Sequence, residues 1–471
     1  MPMRWKPSGS AVVVGLILVL ALSLRLYHFT YPFLDHHSWR QTQTAMVARN
    51  YLRGGFNILR PEVDWFGKGP SVVELEFGLT PYMTSFLYVL FGVHDWVGRV
   101  VPIAFSLASI VYLYLLVRYL SDEDTAIFSC FAYAILPLNV FFSRVQMPES
   151  AMLLFTIGSL YHFSKYVKYG GYRQYVLSLA FTSLAYLTKL PSLYLILPLA
   201  YIAWAGRQTG SAGYRHVSLF FILTVGVAIS YYWYIHQVAD VGTIGYVFGQ
   251  DKWGGGSVWF DGTFYSTIWS RLTDVVYTEV GLALLAFGMV VARKHVLFHV
   301  WLLSVVLYIL TVAKGNEVHD YYQMPLLPVG SFYIGSALSL SYKSRGLKPF
   351  TIGLCALFLG SSVVHLMPLY GLYGLPAYHA GMKAGEIDAS NSLILTVVDR
   401  PDLMPEILYY ADRKGWAVWP QNVSVETIES YRQMGARYLV MSGLSSPPDM
   451  VEAYLRGKQS FSGPDYLIVL L

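Results

Sequence analysis

The sequence predicts a polytopic α-helical membrane protein of about eleven spans with a small α/β domain at its C-terminal end. Three observations carry that reading. The 471 residues are 55% hydrophobic and only 13% charged, about half the charge of an ordinary soluble domain. Aromatic residues reach 16%, with 38 tyrosines and 12 tryptophans. Such side chains favour membrane–water interfaces, where the ring is buried and the polar tip stays wet. Apolar stretches near bilayer-crossing length recur down the chain.

The first is residues 11–29, behind the basic start "MPMRWKPSGS". No small-residue cleavage site follows, so it reads as a retained helix that also directs insertion. Further candidates are 99–120, 125–142, 150–166, 175–188, 192–205, 217–235, 280–292, 298–312, 326–340 and 350–368. The apolar stretch 82–93 is too short to cross and reads as a helix lying along the interface. Lysine and arginine in short loops set the orientation. With Arg4 and Lys6 in the cytoplasm, Arg118, Lys168, Arg173, Arg207, Arg215, Arg293, Lys294, Lys343, Arg345 and Lys348 fall on the same side. The opposite side receives 31–98, "SRVQMPE", "TKLP", 236–279 and "AKGNEVHDYY". An odd span count places the C-terminus outside, in the inner or plasma membrane of a cell.

The division expected is 1–375 as the membrane domain, with its first outer loop at 30–98, and 376–471 as a soluble domain on the outer face. In the latter, "SLILTVVD", "WAVWP", "RYLVMSG" and "DYLIVLL" read as strands. "MPEILYYADRKG", "VETIESYRQMGA" and "DMVEAYLRGK" read as helices between them, so a mainly parallel sheet is expected. It carries no GxGxxG, Walker loop or nucleophile elbow; structural capping is the plainer role and acceptor binding the other. A net charge of +5, spread along the chain, gives no reason for nucleic-acid binding. Cys130 and Cys355 are too few for a disulfide framework, and no CxxC is present.

Chemistry concentrates in the outer loops. "LDHHSWRQTQTAMVARNYLRGG" puts Asp35 just past the first span, then a helix from about Ser38 to Leu52. His36, Arg40 and Gln43 share one face of it by i, i+4 and i, i+3 spacing. A carboxylate there can accept a hydroxyl proton, and an arginine one turn on can hold a phosphate. The plainer alternative is an interfacial helix with snorkelling arginines and a capping aspartate. "FGKGPSVVELEFGLTPY" adds Lys68, Glu74 and Glu76, and "SRVQMPES" adds Arg144 and Glu149. Charges at a membrane edge are costly unless paired or functional. "LTKLPS" adds Lys189, and "NEVHDYYQMPLLP" adds Glu317, His319, Asp320, Tyr321 and Tyr322. Each cluster alone has a bland explanation in snorkelling, pairing or solvation. Together they fall on one face, where their cations run against the positive-inside trend. A lipid-linked phosphate at the membrane surface would compensate them.

"LDHHSWRQTQTAMVARNYLRGGFNILRP" resembles the first-loop signature of the GT-C membrane glycosyltransferases, nearest to the protein O-mannosyltransferase and lipid A aminoarabinose transferase type (glycosyltransferase family 39). "ELEFGLTPYMTSFLYVLFG", "RVQMPESAMLLF", "AYLTKLPSLYLILP" and "HDYYQMPLLP" are similar to later family stretches, so the resemblance covers roughly the first 340 residues. It implies a GT-C fold and an inverting transfer of sugar from a polyprenyl-phosphate donor to an acceptor hydroxyl of a lipid, glycan or protein. Asp35 would then be the general base and Glu149 a second catalytic acid. Arg40, Lys68, Arg144 and Lys189 would bind the donor phosphate, and His36, Glu76, His319, Tyr321 and Tyr322 the substrate. No cofactor is required, although Glu76 and His319 could hold a divalent cation. Asp35-His36 stands where the family has two acids, and "ELEFGL" lacks the Lys-Pro-Pro of near relatives. The competing class is a lipid-linked saccharide transporter or flippase, which would carry polar residues along a path inside the spans. These spans keep charge at their outer ends.

Overall fold

A computed structural model describes residues 9–69, 71–208, 213–240, 250–387, 391–398, 405–443 and 449–471. Arg4 and Lys6, on which the orientation partly rests, lie outside the described residues. Every one of the eleven apolar segments is helical. The first is α1 (Gly9–Leu26). A polar helix, α2 (Ser38–Arg53), and an apolar one, α3 (Leu79–Phe91), follow in the first loop. Then come α4 (Asp95–Leu120), α5 (Glu123–Ile135), α6 (Pro137–Phe142), α7 (Glu149–Tyr169) and α8 (Tyr172–Thr188). The remaining bundle helices are Ile196–Ala205, Tyr214–Val238, Thr278–Val291, Val296–Thr311, Leu326–Lys343 and Lys348–Leu366.

The third predicted segment is broken between α5 and α6. Pro137 takes the first position of α6, and Leu136 before it is extended at φ −54°, ψ 128°, as proline requires of its predecessor. Among the described residues, Gly9–Leu26, Asp95–Leu120, Tyr214–Val238 and Lys348–Tyr370 are each long and apolar enough to cross a bilayer. Gly262–Val276 and Thr278–Val291, bent by 100°, add a fifth if they form one span. Other segments are shorter, broken or less apolar, so length and composition alone do not give eleven crossings.

The helices sort by which face is apolar. α1 and Lys348–Leu366 turn Leu16, Val19, Ile352 and Val364 outward, each more than 60% exposed, as lipid contact allows. α3 buries Thr80, Pro81, Thr84 and Ser85 and exposes Phe86, Val89, Leu90 and Phe91. Polar in and apolar out is the arrangement expected of a helix resting at the membrane boundary. α7 and Leu326–Lys343 are buried almost throughout and form the centre of the bundle. Close approach there depends on small residues. A Cβ on Gly288 would fall 1.9 Å from the carbonyl oxygen of Tyr333.

The tail forms a five-stranded sheet in the order β2-β1-β3-β5-β4. Its strands are β1 (Leu393–Val398), β2 (Gly415–Val418), β3 (Ala436–Ser442), β4 (Ser460–Ser462) and β5 (Tyr466–Leu470). β1 pairs in parallel with β2 and β3, through helical crossovers. β5 pairs antiparallel with both β3 and β4. The sheet is therefore mixed, where a mainly parallel one is the sequence expectation. Only three residues separate β4 from β5, and so short a link closes an antiparallel hairpin. Strand alternation feeds two cores. Leu395, Val397, Leu439 and Met441 pack under Val425–Gln433 and Asp449–Leu455. Ile394, Val398, Val440 and Ile468 face the other way. They share their core with Leu375–Ile387 and with Ala45, Met46 and Val47 of α2. The tail thus rests directly on the helix that carries the first-loop motif.

Candidate functional site

α2 is polar in sequence, yet Gln41, Thr42, Gln43, Thr44, Ala45, Ala48 and Arg49 are all buried on it. It starts at His37, whose backbone is left-handed at φ 58° and ψ 39°, and no side chain caps it. It ends at Gly54, with Gly55 following at φ 77°. The helix lies between the bundle and the tail, so it is no snorkelling surface helix.

Asp35, just before this turn, is 1% exposed. Arg144 Nη1 donates to its Oδ2 at 2.8 Å, and Arg99 Nη2 lies 3.6 Å from the same oxygen. Gln41 Nε2 donates to Oδ1 at 2.6 Å. Both arginines are fully buried. The carboxylate therefore balances two guanidiniums and ties α2 to α4 and to the loop before α7. Both of its oxygens are engaged by buried partners.

Next to it, one loop and three helix ends converge. Arg40 of α2 pairs with Glu76 and donates to Gln43 Oε1 at 2.6 Å. Lys189, at the end of α8, pairs with Glu149, the first residue of α7. The Lys189 ammonium lies 4.6 Å from the Tyr321 ring centre and 5.3 Å from that of Tyr322. Burial would push the Glu76 carboxyl up, but the charges of Arg40 and then Lys189 hold it below the usual range. Burial would likewise lower Arg40, yet Glu76 and Tyr321 keep it above its ordinary value. Glu149 is fully buried, and its Oε2 has no hydrogen-bond partner among the described residues. Arg40, Glu76, Thr44, Pro81 and Pro148 line a small open cleft.

On the other flank, His36 Nε2 and His37 Nε2 lie 2.8 and 2.9 Å from the two oxygens of Asp320. Burial would raise the Asp320 carboxyl; the hydrogen bonds from His36 and His37 override it and hold the group well below the carboxylate range. His319 stacks on Tyr321, with ring centres 5.1 Å apart.

Of the residues that the sequence nominates, Arg40, Glu76, Glu149, Lys189, Tyr321 and Tyr322 come together, with His36 and His319 at the edge. Asp35 and Arg144 form the buried ion cluster beside them. Lys68 does not join. It is exposed on a loop that bridges to the tail, where Phe66 pairs with Trp416. Glu74 faces His236 at 3.4 Å, and Glu317 pairs with Lys314. Glu76 is paired with Arg40, and His319 stacks on Tyr321. Among the described residues, a group of three imidazole and carboxylate side chains that come within ligand distance of one another is His36, His37 and Asp320. His37 and Arg99 escaped the sequence reading. Counting helical offsets passes over His37, because its left-handed turn has no signature beyond the His-His pair. Arg99 looks like an ordinary charge at a span end.

Residues 79–233, a third of the chain, match the family model described as dolichyl-phosphate-mannose-protein mannosyltransferase. No curated protein matches by sequence. Among solved structures, ArnT from Cupriavidus metallidurans bound to undecaprenyl phosphate superposes at TM-score 0.62 with 14% identity, over 98% of both chains. The same protein in the apo state gives 0.65 at 14% identity, again over 98% of both. The archaeal oligosaccharyltransferase AglB from Archaeoglobus fulgidus, in complex with an inhibitory peptide and a dolichol-phosphate, gives 0.61 at 13% identity. That match covers 92% of this chain and 69% of AglB. The chain thus has the fold of ArnT along nearly its whole length, and it carries helices long and apolar enough to cross a membrane, as an integral membrane protein does.

Proposed function

We propose that this protein is an inverting glycosyltransferase that moves a sugar from a polyprenyl-phosphate carrier to an acceptor hydroxyl at the outer face of the membrane. The observation that carries the reading is the convergence of Arg40, Lys189, Glu76 and Glu149, from one loop and three helix ends, on one cleft-side patch. Undecaprenyl phosphate and dolichol-phosphate in the similarly folded ArnT and AglB support the same donor class. The GT-C fold suits a lipid-borne donor because its head group can sit at the loops while the tail stays among the helices.

In the reaction, the acceptor oxygen attacks C1 of the sugar as the C1–O bond to the phosphate breaks. The electron pair departs on the polyprenyl phosphate. Arg40 and Lys189 stabilise that growing charge, a contribution of roughly 3 kcal/mol per preorganised donor in comparable sites. The acceptor proton passes to Glu149 Oε2. We assign this step to Glu149 rather than Asp35 because its second oxygen is unpartnered, whereas Asp35 has none to spare. Binding of donor or acceptor must then draw Lys189 partly from Glu149 to the phosphate, which frees the carboxylate to receive the proton.

Purified protein given a panel of polyprenyl-phosphate sugars is expected to release polyprenyl phosphate. Glu149→Gln should lose at least about a hundredfold in turnover while donor lipid still raises its melting temperature. Wild-type turnover in Glu149→Gln removes the base assignment. A folded wild type that releases no polyprenyl phosphate but moves labelled donor across vesicles is a transporter instead.

A further inference from the structure

We propose that His36, His37 and Asp320 form a binding site for a first-row divalent cation, with zinc or manganese as the ions to test. The three side chains come from places far apart in sequence, the first-loop turn and the segment before Leu326–Lys343. Their ligand atoms all lie within 4.8 Å of one another. Each Nε2 addresses a different oxygen of the same carboxylate.

The backbone is shaped to bring them there. Consecutive residues in a helix or strand point their side chains apart. Here His37 is in the left-handed region, which costs an L residue but swings its ring alongside that of His36, with centres 4.2 Å apart. The ring could have served the start of α2; it caps nothing there and turns to Asp320. His36 is anchored through its own N–H to the Leu369 carbonyl, and Tyr321 N–H holds Asp320 Oδ1 at 2.8 Å. Phe142 and Tyr321 wall the His37 ring at 5.9 and 4.9 Å. The open side is at His36, whose side chain is 34% exposed against 12% for His37 and 10% for Asp320.

Two imidazoles and one carboxylate are a borderline donor set. It suits zinc, manganese and their neighbours rather than calcium or magnesium, which take mostly oxygen. Three protein ligands leave at least one position for an exogenous oxygen. That position borders the donor patch, because Tyr321 packs on both His37 and Lys189. Bonds of about 2.0–2.2 Å to zinc would widen the present Nε2···Oδ contacts by about half an ångström. The protons now shared between rings and carboxylate would be released, as metal binding to imidazole requires. Ion binding here is independent of which carboxylate takes the acceptor proton, and of whether a sugar is transferred at all.

The full-length protein in detergent, stripped with chelator, is titrated with zinc and separately with manganese, and bound metal is counted by mass spectrometry. One ion per chain is expected for at least one of the two. His36→Gln and Asp320→Asn should each weaken it at least about tenfold. His379→Gln, an exposed histidine on the tail, should leave it unchanged. Should Asp320→Asn fold poorly, His36→Gln, at the open edge, still decides the matter. X-ray absorption of the zinc form should show imidazole scattering from two rings. No stoichiometric ion in the wild type, or undiminished binding in a His36→Gln/His37→Gln double variant, overturns the assignment.

Discussion

Arg25, Arg99 and Arg144 are each fully buried, and Asp35 is the carboxylate that two of them share. Arg25 is held by neutral groups, the hydroxyls of Ser106 and Ser143 and the carbonyls of Ala21 and Ala134. Removing one partner of a buried ion cluster leaves the other charge uncompensated, at a cost of about 3–5 kcal/mol. Asp35→Asn is therefore expected to lower the melting temperature in detergent by many degrees, as well as activity. A variant with unchanged melting temperature and lost turnover would instead return Asp35 to the role of base that the family resemblance implies. Asp35 and Arg144 were legible as residues that matter, because ionisable groups at a membrane edge need a reason to be there. Their partnership was not. Sequence spacing carries no information on which loop folds inward over which, so an ion pair spanning 109 positions cannot be read from it. The same limit explains Asp320, visible as part of a cluster but not as the acceptor of two histidines on another loop.

At the scale of elements, hydrophobic runs located the eleven apolar segments, since each must present an apolar face whatever its partners; they did not show the helix Gly262–Arg271, inside what reads as an outer loop. The ends were less legible, because a cap is a single side-chain contact. The segment read from 125 in fact starts at Asp122, which caps α5 by accepting the Thr125 N–H at 3.0 Å, and Lys343 donates to it at 2.7 Å from the end of Leu326–Lys343. Burial alone would raise its carboxyl, but Lys343 and Thr125 bring it down to about 2. A folded-state value below the unfolded one means the ionised form favours folding. Its contribution is complete above the ordinary aspartate range and fades as pH falls toward about 2. Asp122→Ala should cost about 1 kcal/mol, the usual value of such a cap, readable as a small drop in melting temperature at neutral pH. The difference from wild type should shrink as acid protonates the wild-type carboxyl. Strand pairing in the tail was less legible. The three-residue β4 is too short for a periodic pattern, and without it β5 had no hairpin partner to reveal an antiparallel edge.

Across the whole molecule, the tail holds the site in place. Arg49 of α2 donates to the Tyr409 carbonyl at 2.7 Å and to Asp64 at 2.9 Å, and it also pairs with Asp412. Asp95, at the start of α4, accepts from the hydroxyls of both Tyr409 and Tyr410, and Ser38 donates to Glu406. The first-loop backbone adds to the sheet edge, with Gly67 N–H bonded to the Gly415 carbonyl and Gly415 N–H to that of Asp64. The same helix α2 carries Arg40 on its other side, so loosening the tail should loosen the phosphate contact. Arg49→Ala strips a buried partner from Asp64, which is 2% exposed, at a cost of about 3–5 kcal/mol. The bundle does not depend on that contact. Hydrogen exchange should therefore rise in α2 and in β1–β2 while α7 and Leu326–Lys343 stay protected. Affinity for polyprenyl phosphate should fall, because Arg40 is no longer fixed toward Glu76. Faster exchange in the tail with unchanged lipid affinity would mean that the tail caps the fold without positioning the site.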